Sequence, residues 1–364
     1  MRVFAFSAAL LLLAFEFQNL LAWWRGRTLS VAEHSTDDYT IVVPLYGDPR
    51  YFSARASLSA LRARVLVCCE VSSALMAAFA DELERDGFTV LRITDRCPNS
   101  ASLMRRGVAA VTTTYALRLD ADTLIDARIA NAVRAFADSG ADLASVRVEA
   151  APTCTLAGRL QTLEYRIAML ARRYRPWMTS GACFIGRTKA LVRVFDHHSL
   201  WSPGEDIETG RVALALRMVI RHVDYVAYTE VPERWRALFA QRLLWWAGNY
   251  RHFIVNFDRN VLQLPVLTFY YMLGAWVGVY FHVWSSLSVG TLVALLPALL
   301  ILYLAVTVVC NLQVLSPWML IFPLYTLAQT TVMPTLGAVT YARLAYRRRN
   351  LGRYRFGWMR RAMR

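Results

Sequence analysis

The sequence predicts an α/β fold, in which a doubly wound sheet domain is joined to amphipathic interface helices and α-helical transmembrane segments. Three observations support this fold class. Short β-branched runs alternate with helix-like stretches over the first third of the chain. Polar residues follow the ends of the apolar runs. An 83-residue stretch between Arg259 and Arg343 contains no Asp, Glu, Lys or Arg.

Four apolar runs of strand length come first in the chain. They are Tyr39–Pro44, Val65–Cys69, Thr89–Ile93 and Tyr115–Leu119. Helix-like stretches separate them, at Pro49–Leu61, Ser73–Asp86 and Ser100–Val111. Regular alternation of strand and helix is the pattern of a parallel sheet covered by helices on both faces. The runs therefore predict the strands of a parallel, doubly wound sheet.

Polar groups follow three of these strands. Tyr46 lies in a Pro-Leu-Tyr-Gly-Asp segment, Glu70 follows the second run, and Asp120 and Asp122 follow the fourth. Ligands of doubly wound sheets bind at the carboxyl ends of the strands, so we expect these groups to share one crevice. Carboxylates spaced Asp-x-Asp can hold a divalent cation, which can in turn hold a diphosphate. The alternative is that the aspartates cap a turn or a helix.

The alternation is weaker beyond Leu143. Gly158–Arg173 is predicted to be a helix that carries Glu164. Ser202–Glu208 is predicted to begin another helix at its acidic end, because carboxylates are favoured at a helix N-terminus. Arg234–Asn256 is predicted to be an amphipathic helix, rich in Trp and Arg, that suits a membrane surface.

Four segments are apolar enough to suggest membrane spans. They are Val3–Trp24, Leu264–Trp284, Thr291–Cys310 and Pro317–Ala342. The first is predicted to be an uncleaved anchor rather than a signal peptide, because no small-residue cleavage site follows it. An outside N-terminus with four full spans would place the basic tail outside, so the last segment is a candidate re-entrant one. The sequence thus predicts a multi-pass protein of the cell membrane with its α/β domain in the cytosol.

The charge of the chain is concentrated at its end. The formal net charge is +15, but Arg343–Arg364 holds nine arginines and no acidic residue, which leaves +6 (15 − 9) for the rest. A basic run directly after apolar segments marks the cytoplasmic side of a membrane, where anionic lipids attract it. Nucleic acid is therefore not expected as a partner. The six cysteines show no zinc-type spacing and are expected to be reduced.

Three motifs in this order resemble those of the membrane-integrated inverting glycosyltransferases of family 2. They are Asp120-Ala-Asp122, Gly204-Glu205-Asp206 and Gln241-Arg242-Leu243-Leu244-Trp245. That family includes cellulose, hyaluronan and chitin-oligosaccharide synthases. The resemblance covers residues 38–260 and implies a GT-A-type fold. We expect a transmembrane anchor at 1–27, a cytosolic glycosyltransferase domain at 28–233, an amphipathic helix at 234–260, a transmembrane region at 261–342 and a basic tail at 343–364.

The resemblance implies roles for the residues at matching positions. Asp120 and Asp122 would bind Mg²⁺ or Mn²⁺ together with the donor diphosphate, and Tyr46 and Glu70 lie where the family binds uracil and ribose. Asp206 would be the base that removes the acceptor proton during inversion. The alternative for Glu70 is a surface carboxylate, and the alternative for Asp206 is a helix cap.

Gln241, Arg242 and Trp245 match most of a Gln-x-x-Arg-Trp motif. This match implies donor contacts for the first two and, for the tryptophan, an aromatic platform for the acceptor. Trp245 as a membrane-interface anchor is the alternative. Glu164 and Glu205 are further acceptor-side candidates, and their alternatives are a structural ion pair and a helix cap.

The chain departs from the family at two cations. The arginine expected in the last motif is Leu244, and the loop before the third helix is Asn99-Ser100-Ala101, without its lysine. Candidates to replace these charges are Arg242, Arg236, Arg105 and Arg106. A divergent enzyme, a different donor and an inactive relative all stay open at this point.

The resemblance implies a metal-dependent enzyme that transfers a sugar, with inversion, from a nucleotide-sugar to a growing β-linked glycan, which would pass through the membrane segment. The donor is expected to be UDP-linked. Transfer of one sugar to a lipid acceptor and a catalytically silent membrane scaffold are the alternatives. Expected partners are the donor, a glycan or lipid acceptor, membrane lipids, and a second copy or an export partner.

Overall fold

The computed structural model describes residues 19–95, 99–255 and 288–348. These residues divide into two compact units. The sheet unit consists mainly of Arg27–Thr153 and Arg175–Pro232, and the helical unit consists of the described parts of Met1–Gly26, Cys154–Tyr174 and Glu233–Arg347. The predicted segment Leu264–Trp284, residues 3–18 of Val3–Trp24 and most of the basic tail lie outside the described residues.

The sheet unit is built on one mixed sheet. Its strands are β1 (Tyr39–Leu45), β2 (Val65–Glu70), β3 (Thr89–Ile93), β4 (Tyr115–Leu119), β5 (Thr123–Leu124), β6 (Leu143–Ala150), β7 (Cys183–Arg187) and β8 (Ile220–Thr229). They lie in the order β3-β2-β1-β4-β7-β6-β8-β5. The four predicted strands are confirmed and pair in parallel. The sheet as a whole is not parallel, because β7 runs antiparallel to both β4 and β6.

The helices have the following bounds. The sheet unit contains α1 (Arg55–Leu58), α2 (Ala74–Arg85), α3 (Ser100–Ala110), α4 (Ile129–Asp138), α6 (Thr188–His197) and α7 (Glu205–Ala215), and the helical unit contains α5 (Leu156–Tyr174), α8 (Trp235–Val255), α9 (Val289–Cys310) and α10 (Phe322–Arg348). The predicted helix at Pro49–Leu61 is instead two 3-10 turns around the short α1.

The central strands are buried on both faces. Ile41, Val42 and Val43 are all inaccessible to solvent, although successive side chains of a strand point to opposite faces. Helix α3 packs closely here, since a Cβ on Gly107 would lie only 2.5 Å from Cys68 Sγ. This close approach brings the first turn of α3, which begins after the Asn99 cap, to the carboxyl end of the sheet.

The prediction of transmembrane segments is contradicted by the helical unit. Among the residues that the structure describes, no helix combines the length and the hydropathy needed to cross a membrane. Helix α9 contains Pro297, and the segment Pro317–Ala342 is divided between a 3-10 turn and α10. Apolar side chains of these segments pack with α5 inside the unit, namely Leu304, Val308, Met319 and Phe322 against Leu160 and Leu163. The prediction of a multi-pass membrane location is contradicted by the same finding.

The burial pattern of helix α8 differs from that of the predicted amphipathic interface helix. Its buried side chains include Arg242, Arg251 and His252, whereas Leu244 and Trp245 are exposed. Charged and apolar side chains are therefore not separated onto two faces, as an interfacial helix requires.

Candidate active site

The two aspartates of the Asp-x-Asp motif lie between β4 and β5. The backbone N–H of Asp120 donates to the carbonyl oxygen of Ala182 at 3.0 Å, just before β7. On the other side, the hydroxyl of Thr229 at the end of β8 lies 3.4 Å from Asp122 Oδ1. Glu230 follows, and its N–H donates to the carbonyl oxygen of Asp122 at 3.3 Å. The motif is thus fixed by strands on both sides.

Arg118 lies two residues before Asp120 on β4 and therefore shares its face of the strand. The residue is 2% exposed. Its Nη2 donates to Asp120 Oδ1 and to Ser100 Oγ, each at 3.0 Å. The Ser100 hydroxyl in turn donates to Glu205 Oε1 at 2.8 Å. A continuous chain of hydrogen bonds therefore joins Asp120 to Glu205.

Asp206 is positioned by the start of α7. The helix begins after Gly204, whose φ of +95° is a left-handed conformation that favours glycine. The N–H of Gly181 donates to Asp206 Oδ2 at 3.0 Å. A Cβ on Gly181 would lie 3.3 Å from Asp120 Oδ2 and 3.6 Å from Asp206 Cβ. Asp120 and Asp206 therefore flank the same small space beside a residue that lacks a side chain.

The ionised forms of Asp120, Asp122 and Asp206 are disfavoured in this crevice. Burial raises the pKa of Asp120 to about 7, with Arg118 opposing the rise and Asp122 adding to it. Burial also raises the pKa of Asp122, and the charge of Glu230 adds to the effect. The pKa of Asp206 is raised by burial and by Glu205, which lies beside it in the chain. A cation placed among these groups would relieve their repulsion.

The Asp120–Asp122 pair fits a divalent cation that is completed by a ligand. In the described residues no three His, Cys, Asp or Glu side chains form a ready-made metal cage. Sites for Mg²⁺ on phosphorylated substrates need none, because one or two carboxylates and the substrate phosphates supply the ligands. Asp120 and Asp122 match that description, because carboxylate oxygens are hard donors and the pKa values of both carboxyl groups are raised.

Tyr46, directly after β1, lies level with Glu70, the last residue of β2, because Leu45 pairs with Cys69. Burial and the nearby charges of Glu205 and Asp120 raise the pKa of Tyr46, so its ring lies near the carboxylate cluster. Glu70 is 7% exposed and accepts a hydrogen bond from Ser72 at 3.0 Å. It is a buried carboxylate, which contradicts the alternative of a surface one.

The remaining predicted site residues lie in the helical unit. Arg242 is buried and donates to Glu164 Oε2 at 2.6 Å, to which Tyr325 also donates at 2.6 Å. Arg242 further donates to Gln241 Oε1 at 2.9 Å. Its guanidinium lies 4.0 Å from the ring centroid of Trp245, which is 42% exposed. Glu164 thus forms an ion pair that orders the tryptophan.

Of the arginines predicted to replace the missing cations, two have surface partners. Arg105 pairs with Asp196 at 3.6 Å and Arg106 with Asp95 at 2.5 Å, and both side chains are about half exposed. Arg236 is exposed, and Leu244 is 46% exposed.

Arg118 and Gly181 were not predicted to be site residues, and Ser100 was named only as part of the loop that lacks a lysine. Arg118 carries a detectable signal, because it is a charge within an apolar strand at an even spacing from Asp120. Ser100 and Gly181 carry none, because only the paired strands and the packing of α3 bring them to the site.

The chain belongs to glycosyl transferase family group 2. The model of that family matches residues 115–333, more than half of the 364 residues. The match includes the Asp-x-Asp, Gly-Glu-Asp and Gln-Arg-Leu-Leu-Trp motifs. The prediction of a family 2 glycosyltransferase is therefore confirmed. A search of curated proteins found no significant match.

Solved structures support a mixed α/β fold of the GT-A type. The chain is similar to a mannosyltransferase from Pyrobaculum calidifontis in complex with GDP-Man and Mn²⁺, with a TM-score of 0.60, 16% identity, and coverage of 92% of this chain and 98% of that chain. It also matches glucosyl-3-phosphoglycerate synthase from Mycobacterium tuberculosis with Mn²⁺ and UDP-Glc, at a TM-score of 0.40, 15% identity, and coverage of 62% of this chain and 86% of that chain. A match to S. aureus TarS 1-349 has a TM-score of 0.38, 14% identity, and coverage of 84% of this chain and 91% of that chain.

Proposed function

We propose that this family 2 enzyme transfers a sugar from a nucleotide-diphosphate sugar to an acceptor hydroxyl, with inversion at the anomeric carbon. One observation carries the proposal: Asp120 and Asp206 flank the space beside Gly181, where a Cβ would lie 3.3 Å from Asp120 Oδ2 and 3.6 Å from Asp206 Cβ. This geometry supports the proposal, because a carboxylate that would hold the donor side and a carboxylate that would take the proton lie beside the same space.

Asp206 is the proposed base. In a single displacement the acceptor oxygen forms a bond to the anomeric carbon, the bond from that carbon to the diphosphate breaks, and Asp206 takes the acceptor proton. One carboxylate is sufficient, because no covalent sugar intermediate forms. The raised pKa of Asp206 suits this role, since a base is most effective when its pKa lies near the working pH.

Asp120 and Asp122 are proposed to hold Mg²⁺ or Mn²⁺. The bound cation would neutralise the charge that develops on the leaving diphosphate. Tyr46, directly after β1, and Glu70, at the end of β2, are proposed to contact the nucleotide. Glu70 is buried and Tyr46 is 38% exposed, and their position at the carboxyl end of the parallel strands supports this placement.

Trp245 is proposed to bind the acceptor, together with Glu164, Gln241 and Arg242, which hold it in place. An aromatic face that is 42% exposed and ordered by a buried guanidinium suits the apolar C–H surface of a sugar ring. This observation favours a glycan acceptor. Inversion of an α-linked donor would give a β-linked product.

The test is release of nucleotide diphosphate by the purified chain with Mn²⁺ or Mg²⁺. Donors would be UDP-glucose, UDP-GlcNAc, UDP-glucuronate, UDP-galactose and, because one structural neighbour holds GDP-Man, GDP-mannose. Oligosaccharides would serve as acceptors. We expect acceptor-dependent release with one donor, and its loss in Asp122→Asn.

The matched control is Asp138→Asn, which removes an exposed carboxylate on α4 that pairs with Arg134. It should behave like the wild type. Silence with every donor, or equal release by Asp122→Asn, would contradict the proposal and favour a catalytically silent protein.

A further inference from the structure

Arg118 is a buried charge that the proposed proton transfer and metal binding do not use. It is 2% exposed, within a strand whose other residues are apolar or aromatic. Burial works to lower its pKa, whereas the charges of Asp120, Glu205 and Asp206 raise it.

The hydrogen bonds of Arg118 are not those of a residue kept for stability. Both bonds come from Nη2, and the buried Nε and Nη1 atoms have no partner in the described structure. Arginine offers five N–H donors, and buried polar groups in proteins are nearly always paired. Buried ion pairs can often be replaced as a whole by apolar residues without loss of stability, so a functional reason for keeping Arg118 and its partner is favoured.

We propose that Arg118 is a positioning residue that ties the donor side of the site to the acceptor side. This inference rests on the proposed function. Nη2 lies 3.0 Å from Asp120 Oδ1 on one side and 3.0 Å from Ser100 Oγ on the other. Ser100 continues the link to Glu205, the residue directly before Asp206 on α7. One guanidinium thus fixes a metal-side carboxylate relative to the helix that carries the base.

The contact of Arg118 with Ser100 also places a positive charge beside the Asn99-Ser100-Ala101 loop, which contains no lysine. Ser100 accepts from Arg118 at the first turn of α3, so Arg118 supplies the positive charge at this loop from the adjacent strand. A guanidinium suits this task because it stays charged and presents its donors in a rigid plane.

The contact of Arg118 with Asp120 and its contact with Glu205 through Ser100 can be tested separately. Arg118 contacts Asp120 directly and Glu205 through Ser100, whereas the Ser100 hydroxyl continues only to Glu205. Loss of Arg118 should therefore affect both donor binding and turnover. Loss of the Ser100 hydroxyl should affect turnover alone.

The experiment compares Arg118→Met, Arg118→Lys and Ser100→Ala by kcat, by KM for the nucleotide-sugar and by thermal unfolding. We expect Arg118→Met to stay folded, with kcat lowered about 100-fold and donor KM raised about tenfold. Ser100→Ala should lower kcat about tenfold while donor KM stays within about twofold of the wild type. Arg118→Lys should recover donor KM but not kcat, because it restores the charge without the planar fork.

The matched control is Arg134→Met, which removes an exposed arginine of α4. The inference is overturned if Arg118→Met has the kinetics of this control, or if Ser100→Ala raises donor KM as much as Arg118→Met does. If Arg118→Met does not fold, Ser100→Ala is the remaining test, and a kcat of Ser100→Ala equal to that of the wild type overturns the inference. Failure of the proposed function itself would show separately, as full activity in Asp206→Asn.

Discussion

Gly181 donates its backbone N–H to Asp206 Oδ2 at 3.0 Å and leaves open the space that a side chain would take beside Asp120. The contact exists because β7 is antiparallel to β4, so that Cys183 pairs with Leu119 and the residues before β7 meet those after β4. The antiparallel strand β7, next to the parallel strands β1 to β4, thus brings the candidate base to the Asp-x-Asp motif.

Gly181→Ala should inactivate the enzyme without unfolding it. The new methyl group would lie 3.3 Å from Arg118 Nη2 and from Asp120 Oδ2, in the space where we place the reacting groups. We expect kcat/KM to fall about 100-fold, because displacements of about 1 Å cost this much. Steady-state kinetics measure the change.

Gly140→Ala is the matched control for this variant. Its φ of +68° and its empty surroundings predict a stability loss of about 1 kcal/mol with unchanged kinetics. Equal kcat/KM in both variants would contradict our placement of the reaction beside Gly181.

The pH dependence of turnover should report the charge next to the base. Burial and the charge of Glu205 raise the pKa of Asp206, while Arg118 opposes the rise. Asp206 must be ionised to take a proton, so kcat should fall as the pH drops through this raised pKa. Glu205→Gln removes a negative neighbour, lowers the pKa of Asp206 and should move the acid limb to lower pH. Profiles at saturating metal and donor test this, and an acid limb that stays in place or moves to higher pH contradicts it.

Cation binding should stabilise the sheet unit. Mn²⁺ at about 100 times its dissociation constant would add about 2.7 kcal/mol to the free energy of unfolding. With UDP or GDP present, we expect the midpoint of thermal unfolding to rise by about 5 °C. The rise should vanish in Asp122→Asn and after EDTA, and persist in Asp138→Asn. The same rise in Asp122→Asn and in the wild type would place the cation elsewhere.

The ion pair of the helical unit should contribute to stability. Glu164→Ala leaves the buried Arg242 without its carboxylate, and we expect a loss of about 3–5 kcal/mol in the free energy of unfolding. Adding Arg242→Met should recover much of the loss, because the unpaired charge is then gone. Urea unfolding measures both.

Asp138→Ala, which breaks the exposed pair with Arg134, should cost less than about 1 kcal/mol. A similar small cost for Glu164→Ala would show that the buried pair does not hold α5 against α8.

Local patterns in the sequence were enough to predict the four strands β1 to β4. Tyr115–Leu119 and Thr89–Ile93 match the observed strands residue for residue, because short, mainly apolar runs of strand length between turn residues have few alternatives. The position of Asp120 and Asp122 at the carboxyl end of β4 followed from the same pattern. A helix start within Ser202–Glu208 was also predicted from its acidic residues, and α7 begins there at Glu205.

Long-range pairing was beyond the reach of these patterns. The antiparallel β7, and with it the contact of Gly181 with Asp206, depends on residues that are distant in the chain. The apolar run at Thr291–Cys310 was predicted to be a membrane span, because hydropathy does not distinguish packing against α5 from contact with lipid. A structural ion pair had been one of two alternatives for Glu164, and only the structure shows that its partner is Arg242.

The most direct test of the proposed mechanism separates donor binding from transfer in Asp206→Asn. The amide can still accept the hydrogen bond from Gly181 but cannot take the acceptor proton. With the active donor, we predict that the dissociation constant of the nucleotide-sugar stays within about twofold of the wild type while kcat falls about 1,000-fold. Turnover close to that of the wild type, or loss of donor binding together with turnover, would contradict the assignment of Asp206 as the base.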